Sequence, residues 1–167
     1  MHNELTRGDI ELMKKELDER RIRLRPQLLE EVKTARAFGD LSENFEYKAA
    51  KREKNRNESR IRYLENMIKT AVIVPDRTDD GRAGLYDFVT VFMEDEEEEQ
   101  EFQLVTTVRQ DALLNRISKE SPFGRAVMGR AVGERVYVQV NESSGYYVVI
   151  RAIRKGTDDG SIPINEF

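Results

Sequence analysis

Two spacings divide the chain. From Ile10 to Ala35 the apolar residues Ile10, Met13, Leu17, Leu24, Leu28, Val32 and Ala35 recur at steps of three and four with a single step of seven, the period of one helix face. A second stripe runs back from Ile68 through Leu64, Ile61, Asn57, Lys54, Ala50 and Tyr47 to Glu43 at the same steps. The pattern predicts one helix from about Arg7 to Phe38 and another from Asp40 to about Ala71. Packed face to face they make an antiparallel coiled-coil hairpin roughly 45 Å long. Thr6 is a candidate N-cap for the first helix. Pro26 lies inside its stripe and predicts a kink or split near Arg25. The second stripe turns polar at Lys54 and Asn57, so the seam is expected to be weak midway and firm at its base.

Past Val72-Ile-Val-Pro75 the period changes to two. Asp87–Glu94, Glu101–Thr106, Glu134–Val140 and Tyr146–Ile153 read as strands, with a turn around Asn141–Gly145 and a short helix over 109–117. Asp87–Glu94 is apolar on nearly both faces, as a central strand is. The fold class is therefore α+β: a long antiparallel helical hairpin over 1–75, an antiparallel-sheet domain over 76–155, and a flexible tail over 156–167 marked by Gly156, Gly160 and Pro163.

Composition narrows the function classes. Charged residues are 36% of the chain, which suits a solvent-exposed helix pair. There is no cysteine and one histidine, His2, which removes thiol chemistry and any histidine-built triad or metal site. No apolar run approaches a membrane span and the N-terminus has no signal-peptide core, so a soluble cytoplasmic protein is expected. Residues 1–75 hold 17 Lys and Arg against 14 Asp and Glu, and residues 76–167 hold 11 against 18. A mildly basic rod beside an acidic domain argues against simple duplex-DNA binding. The acidic run Glu94–Glu101 reads as a solvated hairpin loop, and Arg20, Arg21, Arg23 and Arg25 as a solvated helix face.

Candidate chemistry gathers where the two stripes meet. Gly39 is the single glycine between Arg21 and Asp80 and suits a helix stop. Asp40 and Glu43 have the spacing of a capping box, which would explain both. They also form a carboxylate pair at the end of a rod, with Glu46 close behind. Such a pair supplies part of a Mg²⁺ shell, which wants six oxygens. A half-site on a thin rod fits completion inside another macromolecule, where a second metal ion orients a water for phosphodiester cleavage. Arg36, Lys48, Lys51 and Arg52 surround the tip, either as intrahelical ion pairs or as contacts to a nucleic-acid backbone. Asn44 and Tyr47 add hydrogen-bonding and stacking capacity, although Tyr47 is also a seam position.

The run Gly39-Asp-Leu-Ser-Glu-Asn-Phe-Glu-Tyr-Lys-Ala-Ala-Lys51 resembles the tip signature of the bacterial Gre transcript cleavage factors, on the GreA side of that family. Ser121-Pro-Phe-Gly-Arg-Ala-Val-Met-Gly129, followed by Gly133-Glu-Arg-Val136, resembles the family's C-terminal domain. The resemblance covers roughly residues 4–154. It implies a C-terminal domain similar to FK506-binding proteins and a monomer whose partners are bacterial RNA polymerase and the nascent RNA 3′ end, with no membrane. The coiled coil would enter the polymerase secondary channel. Asp40 and Glu43 would serve as the catalytic, metal-holding acids, sharing Mg²⁺ with the polymerase active centre, none being bound by the isolated protein. Arg36, Asn44, Tyr47, Lys51 and Arg52 would contact RNA or polymerase, and Ser121, Pro122, Gly124 and Arg125 would dock on polymerase.

The resemblance makes the chain a cofactor of cleavage rather than an enzyme. Phe45 stands where the family has a small residue, residues 52–60 are more polar and basic than usual, and the tail runs past the family's usual end. A channel-binding regulator without cleavage activity is the alternative within the family. A prolyl isomerase or chaperone is the alternative suggested by the C-terminal fold, with no obvious aromatic pocket set to support it.

Overall fold

The computed structural model describes residues 3–39, 43–75 and 80–166. The chain divides into two compact units, one containing Ile10–Ala71 and the other containing Glu4–Asp9 and the chain from Val72 onward.

The first unit is the predicted hairpin. Helix α1 (Arg7–Glu19), a π-helical turn (Arg20–Leu24) and helix α2 (Arg25–Arg36) follow one another, and α3 (Phe45–Thr70) returns. Pro26 sits in the first turn of α2. A proline there cannot donate to the Ile22 carbonyl, and its ring would crowd that carbonyl in a regular α-helix. The chain widens instead: the Arg25 N–H donates to the Arg20 carbonyl, so the irregularity expected near Arg25 is a π-turn. The Asn57 amide also donates to the Arg20 carbonyl, at 3.4 Å.

Met13, Leu17, Leu28 and Ala35 are buried on one side of the hairpin and Ile61, Leu64 and Met67 on the other; all but Met67 lie on the two stripes, and the stripe residue Ile68 is half-buried. The polar middle is bonded rather than empty. Glu16 accepts from Arg60 at 2.8 and 3.1 Å and from Arg20 at 2.7 Å, and Arg20 donates to Asn57 at 2.9 Å. Burial pushes the Glu16 carboxyl up, but the bonds from Arg60 and Arg20 outweigh it and hold the group below the usual range. Of the arginine patch, Arg21 and Arg23 are exposed, as a solvated face requires, while Arg20 and Arg25 are half-buried. Arg25 grips Glu58 through two bonds of 2.7 and 2.9 Å, and Arg21 pairs with Glu65.

The hairpin's turn differs from expectation. The first helix ends at Arg36, two residues before Phe38. The return helix starts at Phe45, with Glu43 in a turn and Asn44 as its N-cap. Asn44 is extended and its side chain accepts from the Tyr47 N–H at 2.9 Å, which satisfies a first-turn donor. Asp40, expected to open this helix, lies outside the described residues. Gly39 has φ +131° and lies in the turn beyond the C-cap Ala37, so the helix stops before the glycine rather than at it.

Strands β1 (Asn3–Leu5) and β2 (Ala71–Ile73) pair as a two-stranded sheet. The second unit is built on a five-stranded sheet of β3 (Phe88–Met93), β4 (Glu98–Val105), β5 (Arg116–Ser118), β6 (Arg135–Gln139) and β7 (Gly145–Arg154), in the order β5-β4-β3-β7-β6. β3 is central, as its two-faced apolarity predicts. Neighbours are antiparallel except β4 with β5, which are parallel. The short helix expected over 109–117 is absent: two 3₁₀ turns, Thr107–Arg109 and Ala112–Leu114, lead into β5. One sheet face buries Val89, Val91, Leu104, Val138, Val148 and Ile150 beneath Phe123 and Val127 of helix α4 (Pro122–Val127).

The acidic run is half turn and half strand, because β4 already begins at Glu98. Its carboxylates meet arginines of β6 and β7. Glu94 accepts from Arg135 at 2.7 Å, Glu101 from Arg154 at 3.3 Å, and Glu99 lies 3.9 Å from Arg151.

The stretch 156–166, expected as a flexible tail, packs into the second unit. The Arg109 side chain is fully buried and donates to both Asp158 oxygens at 2.7 Å and to Asp9. A Cβ on Gly8 would lie 2.1 Å from an Asp158 oxygen, and one on Gly156 would lie 2.0 Å from the Tyr86 carbonyl, so neither position has room for a side chain. Ile162 is buried with Leu85, Tyr86 and Val105. Thr6 caps α1 as predicted. The Asp9 N–H donates to its hydroxyl at 3.2 Å, and the Thr6 N–H donates back to Asp9 at 2.9 Å, a reciprocal box.

Candidate functional site

Among the described residues, Asn44 ties the two helices together at the end of the hairpin. Asn44 donates to the Ala35 carbonyl at 2.6 Å while accepting from Tyr47. It thereby adds a second donor to the Ala35 carbonyl, which also accepts from the Phe38 N–H at 3.1 Å, and satisfies an orphan donor at the start of α3. Its amide is thus engaged with backbone, and it sets the spacing of the residues around it.

Glu43 is exposed just ahead of this cap, and Glu46 is exposed in the first turn of α3. Asp40, the second predicted acid, lies outside the described residues. Arg36 ends α2 and carries its guanidinium 5.4 Å from the centre of the Tyr47 ring, with a long 3.4 Å bond to the phenol oxygen. The Lys51 ammonium is 5.9 Å from the same ring. The hydrogen bond from Arg36, aided by the nearby charges of Lys51 and Lys54, lowers the Tyr47 phenol below its ordinary value. Arg36, Tyr47 and Lys51 are therefore one patch, while Arg52 is exposed further along α3. Glu43 and the cation–aromatic patch together offer hard oxygen donors beside groups that attract a phosphodiester backbone.

Two phenylalanines at this end were not assigned a site role from sequence. Phe38 is 69% exposed and Phe45 81%, and both line one open cleft with Glu43, Asn44 and Glu46. Both fall outside the buried stripes, which was the available signal. Among the described residues no group of three or more His, Cys, Asp or Glu side chains could hold a metal ion.

The second predicted set divides by exposure. Ser121 caps α4, accepting from the Gly124 N–H at 3.0 Å. Gly124 is buried, and a Cβ there would lie 2.1 Å from the Ser118 carbonyl oxygen. These two residues shape the turn, whereas Pro122 and Arg125 are exposed. Pro122 and Arg125 line an open groove of about 520 Å³ with Tyr137 and Gln139 of β6.

Comparison with known proteins gives matches along both units. A family described as "Transcription elongation factor, N-terminal" matches residues 3–73, and one described as "Transcription elongation factor, GreA/GreB, C-term" matches residues 78–155. The chain is 39% identical over 148 residues to "Transcription elongation factor GreA" of Chloroherpeton thalassium, covering 87% of this chain and 93% of that protein. It is 36% identical over 151 residues to the protein of the same description from Thermotoga maritima, covering 90% and 97%. A solved structure titled "Structure of the transcription factor Gfh1" aligns with a TM-score of 0.45 at 25% identity, over 93% of this chain and 99% of that one. No helix among the described residues is long and apolar enough to cross a membrane.

Proposed function

We propose, for a chain that belongs to the GreA/GreB family of transcription elongation factors, that it inserts its helical hairpin into the secondary channel of bacterial RNA polymerase and stimulates the polymerase's own cleavage of backtracked RNA. The observation that carries this reading is the exposed Glu43, displayed at the end of the hairpin beside the Arg36–Tyr47–Lys51 patch. The chain is a factor and the polymerase is the enzyme.

Each residue takes a defined task. Glu43, with Asp40, lends carboxylate oxygens to a Mg²⁺ shell that the polymerase completes. These are the oxygen donors Mg²⁺ takes, and too few of them to hold it unaided. Held there, the ion would supply Lewis-acid activation of a water. Glu43 would also accept a hydrogen bond from the attacking water and orient it. Arg36 and Lys51 meet the RNA backbone, Arg52 extends that contact, and Asn44 holds the turn in shape. Pro122 and Arg125 form the docking surface on polymerase.

The test is a transcript-cleavage assay on stalled, backtracked elongation complexes. Wild type shortens the RNA; Glu43→Ala and Asp40→Ala bind polymerase with nearly unchanged affinity and lose the stimulation. Slowed elongation without shortened RNA in the wild type would replace this reading with that of a channel-binding regulator.

A further inference from the structure

We infer that Phe45, with Phe38 across the same cleft, is a positioning residue that stacks the unpaired base at the 3′ end of the extruded RNA; this inference rests on the cleavage reading above. Phe45 and Phe38 are 81% and 69% exposed, and neither belongs to the hairpin's buried stripes. Packing of the hairpin therefore gives no account of either ring. They share a cleft of about 600 Å³ with Glu43, Asn44 and Glu46, room for a base.

The chemistry of the walls selects the occupant. Two carboxylates repel a phosphate but accept hydrogen bonds from the amino group of a neutral base. An aromatic ring offers a base its face, and base–aromatic stacking tolerates any sequence. Cations stand just outside the cleft. The Lys48 ammonium is 5.8 Å from the Phe45 ring centre, and Arg36 and Lys51 are 5.4 and 5.9 Å from that of Tyr47. A nucleotide can thus place its base in the cleft that the phenylalanines line and its phosphate toward Lys48. Alternating rings and cations are how single-stranded nucleic acid is held. The base, once stacked, fixes where its phosphodiester lies relative to Glu43.

The experiment uses elongation complexes backtracked by a defined length, whose RNA ends in adenine, in uracil or in an abasic nucleotide. The factor concentration giving half-maximal cleavage and the maximal rate are measured for wild type, Phe45→Ala, Phe38→Ala and Phe45→Trp. Phe45→Ala is expected to raise the half-maximal concentration about tenfold for terminal adenine, less for uracil, and negligibly for the abasic end. Phe38→Ala follows the same order with smaller shifts, and Phe45→Trp restores the wild-type value. Unchanged melting temperatures separate these effects from a fold defect.

A shift of equal size for all three RNA ends would mean that Phe45 touches a protein wall of the channel, and would overturn the inference. No shift at all would do the same. If wild type shortens no RNA, the cleavage reading fails. Photocrosslinking from a terminal 4-thiouridine then decides the stacking separately: a crosslink to Phe45 sustains it, and none removes it.

Discussion

Arg109 and Glu43 mark two opposite uses of charge in this chain. Arg109 is fully buried, and Asp9 and Asp158 close around it. Asp158 feels burial, which pushes its carboxyl up, but its bonds to Arg109 and to the Gly160 N–H hold it below the usual range. Burial pushes the neighbouring Tyr86 phenol far up, so it stays neutral and bonds the Thr6 hydroxyl at 3.1 Å. These charges are committed to tying Glu4–Asp9 and 156–166 into the second unit. The carboxylate of Glu43 is displayed to solvent at a turn. Removing a buried charge partner damages the fold, whereas removing an exposed one leaves the fold intact.

The largest effect on stability is expected at the buried cluster. Asp158→Ala strips both bonds from a guanidinium that has no access to water, and such losses cost about 3 kcal/mol. Thermal unfolding of the second unit should shift down by several degrees, with amide exchange rising over 4–9 and 156–166. A melting temperature within a degree of wild type would mean that Asp9 suffices for Arg109, and would break the contrast with the tip.

An intermediate effect is expected in the middle of the hairpin. Glu16→Gln leaves Arg60 and Arg20 facing a neutral acceptor and should cost about 2 kcal/mol. The same contact has a pH signature. The Glu16 pKa is lowered on folding, so its contribution is fully present above the unfolded carboxylate value and is lost as pH falls through the folded one. The stability gap between wild type and Glu16→Gln, read from urea unfolding of the helix signal, should therefore be largest near neutral pH and close as pH falls through the folded Glu16 value. No gap at neutral pH would show that the polar network adds nothing to the seam.

How far these regions were legible in the sequence follows from the range of their interactions. The hairpin was legible because a helix face repeats every three to four residues: Met13, Leu17, Ile61 and Leu64 all fell where the stripes placed them. The strands were legible through alternation, and Pro26 announced an irregularity without saying that it would take the form of a π-turn. The start of α3 was misplaced because Asp40 and Asn44 are both good caps and periodicity does not fix an end. The cluster of Asp9, Arg109 and Asp158 left no local trace, since its members lie about a hundred and about fifty residues apart. The packed tail was missed for the same reason: Gly156 and Gly160 look like loop residues, yet Gly156 is small because Tyr86 lies against it. At the tip, the carboxylate motif was legible as chemistry and Phe38 and Phe45 stood outside the stripes, while their sharing of one cleft required the turn's geometry.

A smaller effect is expected for the cap itself. Asn44→Ala removes one donor and one acceptor from a solvent-edge turn, a loss of about 1 kcal/mol. The hairpin should remain folded, yet stimulated cleavage should fall, because the turn that carries Glu43 loses its anchor to Ala35. Asn44→Asp keeps the acceptor for Tyr47 but replaces the donor to Ala35, so it should recover most of the helix content and less of the activity. Equal recovery of both would assign Asn44 to capping without positioning.

The smallest effect on stability, and the sharpest test of the comparison, is Glu43→Gln. The side chain is exposed in a turn, so its replacement by a neutral isostere should change unfolding free energy by less than about 0.5 kcal/mol. The substitution keeps size and hydrogen-bonding capacity while removing the charge that a divalent ion needs. Stability should therefore be unchanged while stimulated cleavage collapses, the reverse of Asp158→Ala, which loses stability and keeps cleavage at temperatures where it remains folded. A Glu43→Gln protein that melts several degrees lower would place this carboxylate among the structural charges, and the distinction between the two regions would fail at the residue on which it depends.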